Sequence, residues 1–318
     1  MRNKVYEIIT NKIIEGLQNK KTWLKGWITQ LPKNAITRKP YSGINLLLLS
    51  LKNYASPYFL TYKQARQLKG YVKQGEKATI IIYWKIKETE KNLENGETKK
   101  ETVPILRYYK VFNLKQCEGI EIKENKEEFS PVEKCEDIIS NYKDKPEIKQ
   151  GQPCYINSLD LIRIPDKNDF LNKEEYYSAL FHELTHSTGN EKRLNREGVA
   201  KAVNFGSDKY SKEELIAELG NAFLCAISGI TDKVIDNQQA YINDWIDVFR
   251  KDKKILIQAS RQAQRATDYI TGVIKISDTQ KIAEDIINIF KENKVLKVNA
   301  DYRKLYDDLC KFLNGLLK

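Results

Sequence analysis

The chain holds two histidines among its 318 residues, and both fall in one hexapeptide, Phe181-His182-Glu183-Leu184-Thr185-His186. The spacing is H-E-x-x-H. On a helix, positions four apart lie on one face a turn apart, so both imidazoles can reach a single ion. Glu183 then projects beside that ion, where it can serve as general base for a water. In a histidine-rich chain the pattern is a common accident, but here the entire imidazole supply is gathered in it. The bland alternative is a pair of helix histidines that hold nothing.

A catalytic zinc site needs a third protein ligand and keeps one position open. No other histidine exists and no cysteine stands close in sequence, so a carboxylate must supply it. The segment Ser211-Lys212-Glu213-Glu214-Leu215-Ile216-Ala217-Glu218 offers the candidates. Glu214 and Glu218 share a helical face, which suits one carboxylate on the metal and a second orienting a ligand imidazole through its free N–H. We assign Glu214 to the metal and Glu218 to the supporting role. A rival reading makes Ser211-x-x-Glu214 a capping box, which engages Glu214 with a backbone amide and leaves Glu218 as the ligand. Glu213 reads as a solvated first-turn acid. Tyr210 is placed to aim its hydroxyl at a tetrahedral intermediate, with ordinary packing as the alternative. The ligand types favour Zn at about one ion per chain, and the geometry would also admit Mn, Co or Ni.

These residues need helices to hold them. Asn172 is a helix cap three residues before the acidic Glu175, Tyr177, Leu180, Phe181 and Leu184 form an apolar stripe, and Gly189 sits where such a helix should stop. The following segment carries its own core residues, Leu215, Ile216, Leu219 and Phe223. Ahead of both, Cys154 to Ile164 alternates as a hairpin turning at Ser158-Leu159-Asp160, and Val132 to Tyr142 is helical. From Asn172 onward the pattern is helical almost to the end.

The first 120 residues have a different character. They hold 23 Lys/Arg and 9 Asp/Glu, whereas the remainder carries 31 and 34, so the whole surplus of positive charge is N-terminal. Gly16 to Gly75 contains 11 Lys/Arg and not one carboxylate, together with eight aromatics. Cations that neutralise phosphates and rings on which bases stack are what single-stranded nucleic acid requires, against the plainer reading of a basic surface around an aromatic core. The predicted contacts are Lys25, Trp27, Lys33, Arg38, Lys39, Tyr41, Lys63, Arg66, Lys73 and Lys77. Residues 3–18 read as an amphipathic helix and Ile44 to Lys52 as a short buried one. Thr61 caps another short helix, and Thr79 to Trp84 pairs with Ile105 to Phe112 around a long charged excursion turning at Asn95-Gly96.

No apolar run approaches the roughly 20 residues of a membrane helix, and the N-terminus shows no export signal. Five scattered cysteines without a C-x-x-C pair argue for reduced thiols, so a cytoplasmic protein without membrane contact is expected.

Several of these segments together resemble the ArdC-type antirestriction family, whose N-terminal domain also occurs in plasmid primases of the TraC kind. They are Leu31-Pro-Lys-Asn-Ala-Ile-Thr-Arg-Lys-Pro-Tyr-Ser-Gly, Gly70-Tyr-Val-Lys-Gln-Gly-Glu-Lys-Ala-Thr, Val111-Phe-Asn, His182-Glu-Leu-Thr-His, Glu213-Glu-Leu-Ile-Ala-Glu-Leu-Gly, Tyr241-Ile and Asp268-Tyr-Ile. The likeness spans about residues 1–272. It implies a single-stranded-DNA-binding domain followed by a zincin-like metallopeptidase domain, made by a mobile element to protect incoming DNA from restriction. It also favours Glu214 as the metal ligand. The family usually has an aromatic after the second histidine, where this chain has Ser187, so an aromatic lining of the cleft is expected to be missing.

The expected fold class is α+β: a mixed N-terminal nucleic-acid-binding domain over 1–120, a connection over 121–149, a mostly helical zincin-like domain with a small antiparallel sheet over 150–272, and a helical extension over 273–318. Three functions compete. One is an antirestriction protein that coats single-stranded DNA and carries a peptidase-like domain. Another is a metalloprotease that DNA merely localises near a restriction enzyme or other protein substrate. The last is a non-enzymatic binder with a structural metal.

Overall fold

The structure is a computed structural model and describes residues 2–18, 31–52, 54–92, 98–122, 130–200 and 208–273. Lys25, Trp27, the Asn95-Gly96 turn, Cys310 and, apart from Val273, the C-terminal extension lie outside the described residues.

The amphipathic start forms α1 (Arg2–Gln18), which buries Ile9, Ile13, Ile14 and Leu17. Next come β1 (Lys33–Asn34), the buried α2 (Ile44–Ser50) and β2 (Tyr58–Leu60). α3 (Tyr62–Gln67) begins with a complete capping box in which Thr61 and Gln64 exchange side-chain-to-backbone hydrogen bonds. β3 (Tyr71–Val72) is followed by the long hairpin of β4 (Thr79–Asn92) and β5 (Thr98–Asn113), then β6 (Cys117–Glu118). The main sheet has the order β1-β2-β5-β4, and β3 pairs with β6 apart from it. The charged excursion expected between two short strands is itself strand. Pairing continues unbroken from Thr79 opposite Val111 to Asn92 opposite Thr98. The register sets Glu90 opposite Lys100.

The second half begins with α4 (Pro131–Asn141) and a three-stranded sheet of β7 (Glu147–Gln150), β8 (Cys154–Ile156) and β9 (Leu161–Ile164), in the order β7-β9-β8. Helices α5 (Lys173–Ser187), α6 (Glu197–Ala200), α7 (Asp208–Ser228), α8 (Thr231–Lys251) and α9 (Ile255–Ile270) complete it. Much of the stretch expected to be a connection is folded into this half. Cys135, Ile138, Ile139 and Tyr142 share a buried cluster with Tyr177, Phe181 and Leu184 of α5. Their helical spacing gives α4 an apolar face that must be covered.

The two halves are not separate beads. A single core joins Ile9 and Ile13 of α1, Leu46 and Leu47 of α2 and Ile82 of β4 to Leu215 and Phe223 of α7, Phe249 of α8 and Leu256 of α9. Thr10 also donates to the carbonyl of Lys253 at 2.8 Å, and the amide of Gly43 to Gln264 at 2.8 Å. Among the described residues no helix is long and apolar enough to cross a membrane, and Cys117, Cys135, Cys154 and Cys225 are free thiols.

Candidate metal centre

Two helices build the site. In α5 the Asn172 side chain accepts the Glu175 amide at 2.8 Å, and Glu174 and Glu175 lie in the first turn, where the helix dipole favours carboxylates. Burial of Tyr177, Leu180, Phe181 and Leu184 fixes the rotation of the helix. That leaves His182 and His186 half-buried on a neighbouring face. α7 crosses close by because Gly220 has no side chain: a Cβ there would meet the Thr185 side chain at 2.4 Å. Gly189, just beyond the end of α5, is required for the same reason. Its Cβ would fall 2.6 Å from Val199.

This packing brings His182, His186 and Glu214 together, with one donor atom of each within 4.8 Å of the others. The two Nε2 atoms stand 3.1 Å apart, and each lies 3.6 Å from a carboxylate oxygen of Glu214. Tetrahedral ligands at about 2.0–2.1 Å from zinc are separated by roughly 3.4 Å, so this donor set fits a small divalent ion. The rival capping-box reading of Glu214 does not hold. α7 begins at Asp208, which puts Ser211 inside the helix, not at its cap.

The outer nitrogens also face carboxylates. Glu218 Oε1 lies 3.7 Å from His182 Nδ1, and Glu213 Oε1 lies 3.4 Å from His186 Nδ1. Glu213 is not the solvated acid expected from its place in the sequence. It is 4% exposed and paired with Arg196, itself 6% exposed. Burial would push the His186 imidazole down, but Glu213 and Glu214 hold it up at about 10. Burial would conversely raise the Glu214 carboxyl, yet the two imidazoles hold it far below the ordinary carboxylate range. Burial raises the Glu218 carboxyl.

A cleft of about 730 Å³ opens over these groups, lined by Glu183, His182, His186, Glu214, α6 and the outer strand β8. The β8–β9 hairpin is pinned to α5 by a buried guanidinium. Arg193 donates to Asp160 Oδ2 at 2.7 Å and to the Ser187 carbonyl at 2.9 Å. Ser187 faces away from the cleft: it is fully buried and hydrogen-bonded to the Tyr142 hydroxyl at 3.0 Å. Its difference from the family pattern therefore falls in the core, and the expectation of a lost cleft aromatic is corrected. Tyr210 lies in the first turns of α7, but its side chain is outside the described residues.

The predicted DNA contacts divide. Arg38, Lys39, Lys63, Arg66 and Lys77 are exposed, whereas Lys33 and Lys73 are half-buried. Lys33 and Arg38 lie over the ring of Tyr58 at 5.1 and 4.8 Å. Tyr41 is half-buried and packs edge-on against Phe59, with ring centroids 6.4 Å apart. The structure also exposes rings that charge counting missed, Tyr108 and Tyr109, between exposed Arg107 and Lys110 on β5. They lie beyond the acid-free window, and the run Arg107-Tyr-Tyr-Lys110 was the signal for them.

Comparison with known proteins agrees with both halves. Residues 3–112 match the N-terminal domain of anti-restriction factor ArdC, and residues 133–262 match a zincin-like metallopeptidase family. Crystal structures of the antirestriction ArdC protein from plasmid R388 superpose with a TM-score of 0.67. The metal-free form is 32% identical, covering 83% of this chain and 96% of that one. The Mn(II)-bound form is 30% identical, covering 84% and 97%. Among curated proteins, a DNA primase TraC of Escherichia coli is 32% identical over 294 residues, and uncharacterized protein y4eC of Sinorhizobium fredii is 28% identical over 295. The chain spans 94% of y4eC but only 27% of that primase.

Proposed function

Since the chain belongs to the ArdC family of antirestriction proteins, we propose that it protects the DNA of a mobile element, such as a conjugative plasmid, by binding single strands through its basic N-terminal half and by a hydrolytic centre in its helical half. The observation that carries the second part is the meeting of His182, His186 and Glu214 beside Glu183 in an open cleft. The two imidazoles and Glu214 would hold a divalent ion, with Glu218 orienting His182. Zinc fits the ligand types, and a relative that holds Mn(II) supports the wider class. A bound ion would supply Lewis-acid polarisation and make a water easier to deprotonate. Glu183 would take a proton from water on its carboxylate and pass it to the leaving group. Tyr210 remains the proposed electrophile for the developing oxyanion. Reduced thiols and the absence of a spanning helix among the described residues support a cytoplasmic site of action.

A second reading, a protease acting on a restriction enzyme or other protein near DNA, is favoured by one feature. β8 is the outer strand of its sheet and lines the cleft, so an extended peptide can pair along it. Glu183→Ala decides whether hydrolysis matters. The variant is expected to keep its metal and its single-stranded DNA affinity and to lose restriction protection in cells. Full protection would make the ion scaffolding and leave DNA coating as the function.

A further inference from the structure

The Arg196–Glu213 pair has no part in the three-ligand reading, yet it is built into the end of the helix that carries His186. Arg196 grips Glu213 in bidentate fashion, donating from one terminal nitrogen to Oε1 at 2.6 Å and from Nε to Oε2 at 3.0 Å. The same guanidinium closes the last turn of α5. It donates to the Thr185 carbonyl at 2.8 Å and to the Thr188 hydroxyl at 2.6 Å. Glycine at position 189 gives the guanidinium room, since a Cβ there would lie 3.0 Å from it. Glu213 in turn sets Oε1 3.4 Å from Nδ1 of His186.

A carboxylate this deeply buried is tolerable only with a fixed cation, and Arg196 supplies it. The pair is neutral overall, so the centre gains no net charge. What it does present to His186 is an acceptor of fixed position. A ring that donates its Nδ1–H leaves the Nε2 lone pair pointing at the ion, and such outer hydrogen bonds commonly set metal affinity.

We propose that Glu213, locked by Arg196, is a positioning residue that fixes the tautomer and orientation of His186 and thereby sets the affinity of the centre for its divalent ion. This rests on the metal-centre reading above. Loop 188–196 then acts as a brace whose function is felt at the ion, not only in the stability of the helix pair.

The test is a zinc titration of the full chain against a chromophoric chelator, for the wild type, Glu213→Gln and Glu213→Asp, beside the thermal midpoint of each without metal. Glu213→Gln is expected to bind zinc about 10–100-fold more weakly. Glu213→Asp, which keeps the charge at a shorter reach, should recover part of the loss. Unchanged zinc affinity in Glu213→Gln, whatever its midpoint, would overturn the proposal and leave the pair a structural tie. If Glu213→Gln does not fold, the nitrogen-15 histidine spectrum of the zinc-loaded wild type decides, because only two rings contribute. A proton on His186 Nδ1 supports the assignment, and metal on Nδ1 refutes it. A wild type that takes up no zinc overturns the metal centre and the brace together, and the titration shows this before any variant is compared.

Discussion

Each imidazole of the centre has a carboxylate near both of its nitrogens, and the two sides differ in how far the sequence reveals them. The inner side, where His182, His186 and Glu214 converge, is readable because a spacing of four on a helix is a local rule and the chain has no other histidine. Glu218 follows from the same rule applied to the next helix. Glu213 does not. Its burial depends on Arg196, seventeen residues earlier in the chain, and no periodicity connects the two. Asp160, in the turn between β8 and β9, is a parallel case. Burial alone would raise its carboxyl, but hydrogen bonds from Arg193 and Tyr155 outweigh that and hold it below the usual value. A depressed carboxyl contributes stability above its unfolded pKa and loses it as pH falls through the folded one. The β8–β9 hairpin is therefore expected to loosen below about pH 4, near the ordinary Asp value. Hydrogen exchange of its amides should accelerate there, and Asp160→Asn should show the fast exchange already at neutral pH.

At the scale of elements, the caps and stripes of α1, α3, α4 and α5 were legible because each is written within about ten residues. The close crossing of α5 and α7 was not. Gly220 stands in an unremarkable helical run, and its purpose shows only against Thr185. The β4–β5 hairpin was half legible. Its apolar base reads as strand, while the Lys- and Glu-rich remainder reads as loop because charge lowers strand propensity when pairing is not known. That hairpin carries Tyr108 and Tyr109, each 49% exposed, between two cations. Stacking on a base is worth about 1–3 kcal/mol per ring. The double variant Tyr108→Ala, Tyr109→Ala is expected to weaken single-stranded DNA binding at least tenfold by fluorescence anisotropy, with the metal content unchanged. Wild-type affinity would place the DNA elsewhere on the basic half.

On the scale of the whole molecule, composition separated a basic front from a balanced back, and the family matches divide the chain in nearly the same place. Composition could not show that the two share a core. α1 ends at Gln18 and α7 begins only at Asp208, yet Ile13 and Phe223 belong to one buried cluster. Folding of the two halves is therefore coupled. Ile13→Ala should cost about 2–5 kcal/mol. Its unfolding, followed by tryptophan fluorescence and by release of bound metal, should remain one coincident transition at a lower midpoint. Two separated transitions would mean the halves fold independently.

Hydrolysis in the helical half requires that the chain's two histidines and Glu214 hold one divalent ion. Elemental analysis of protein purified without chelators counts that ion, run on the wild type beside His186→Ala and Glu214→Ala. The expected result is about one ion per wild-type chain and a small fraction of that in either variant. A metal-free wild type that also refuses added zinc and manganese, or variants that retain a full equivalent, would contradict it.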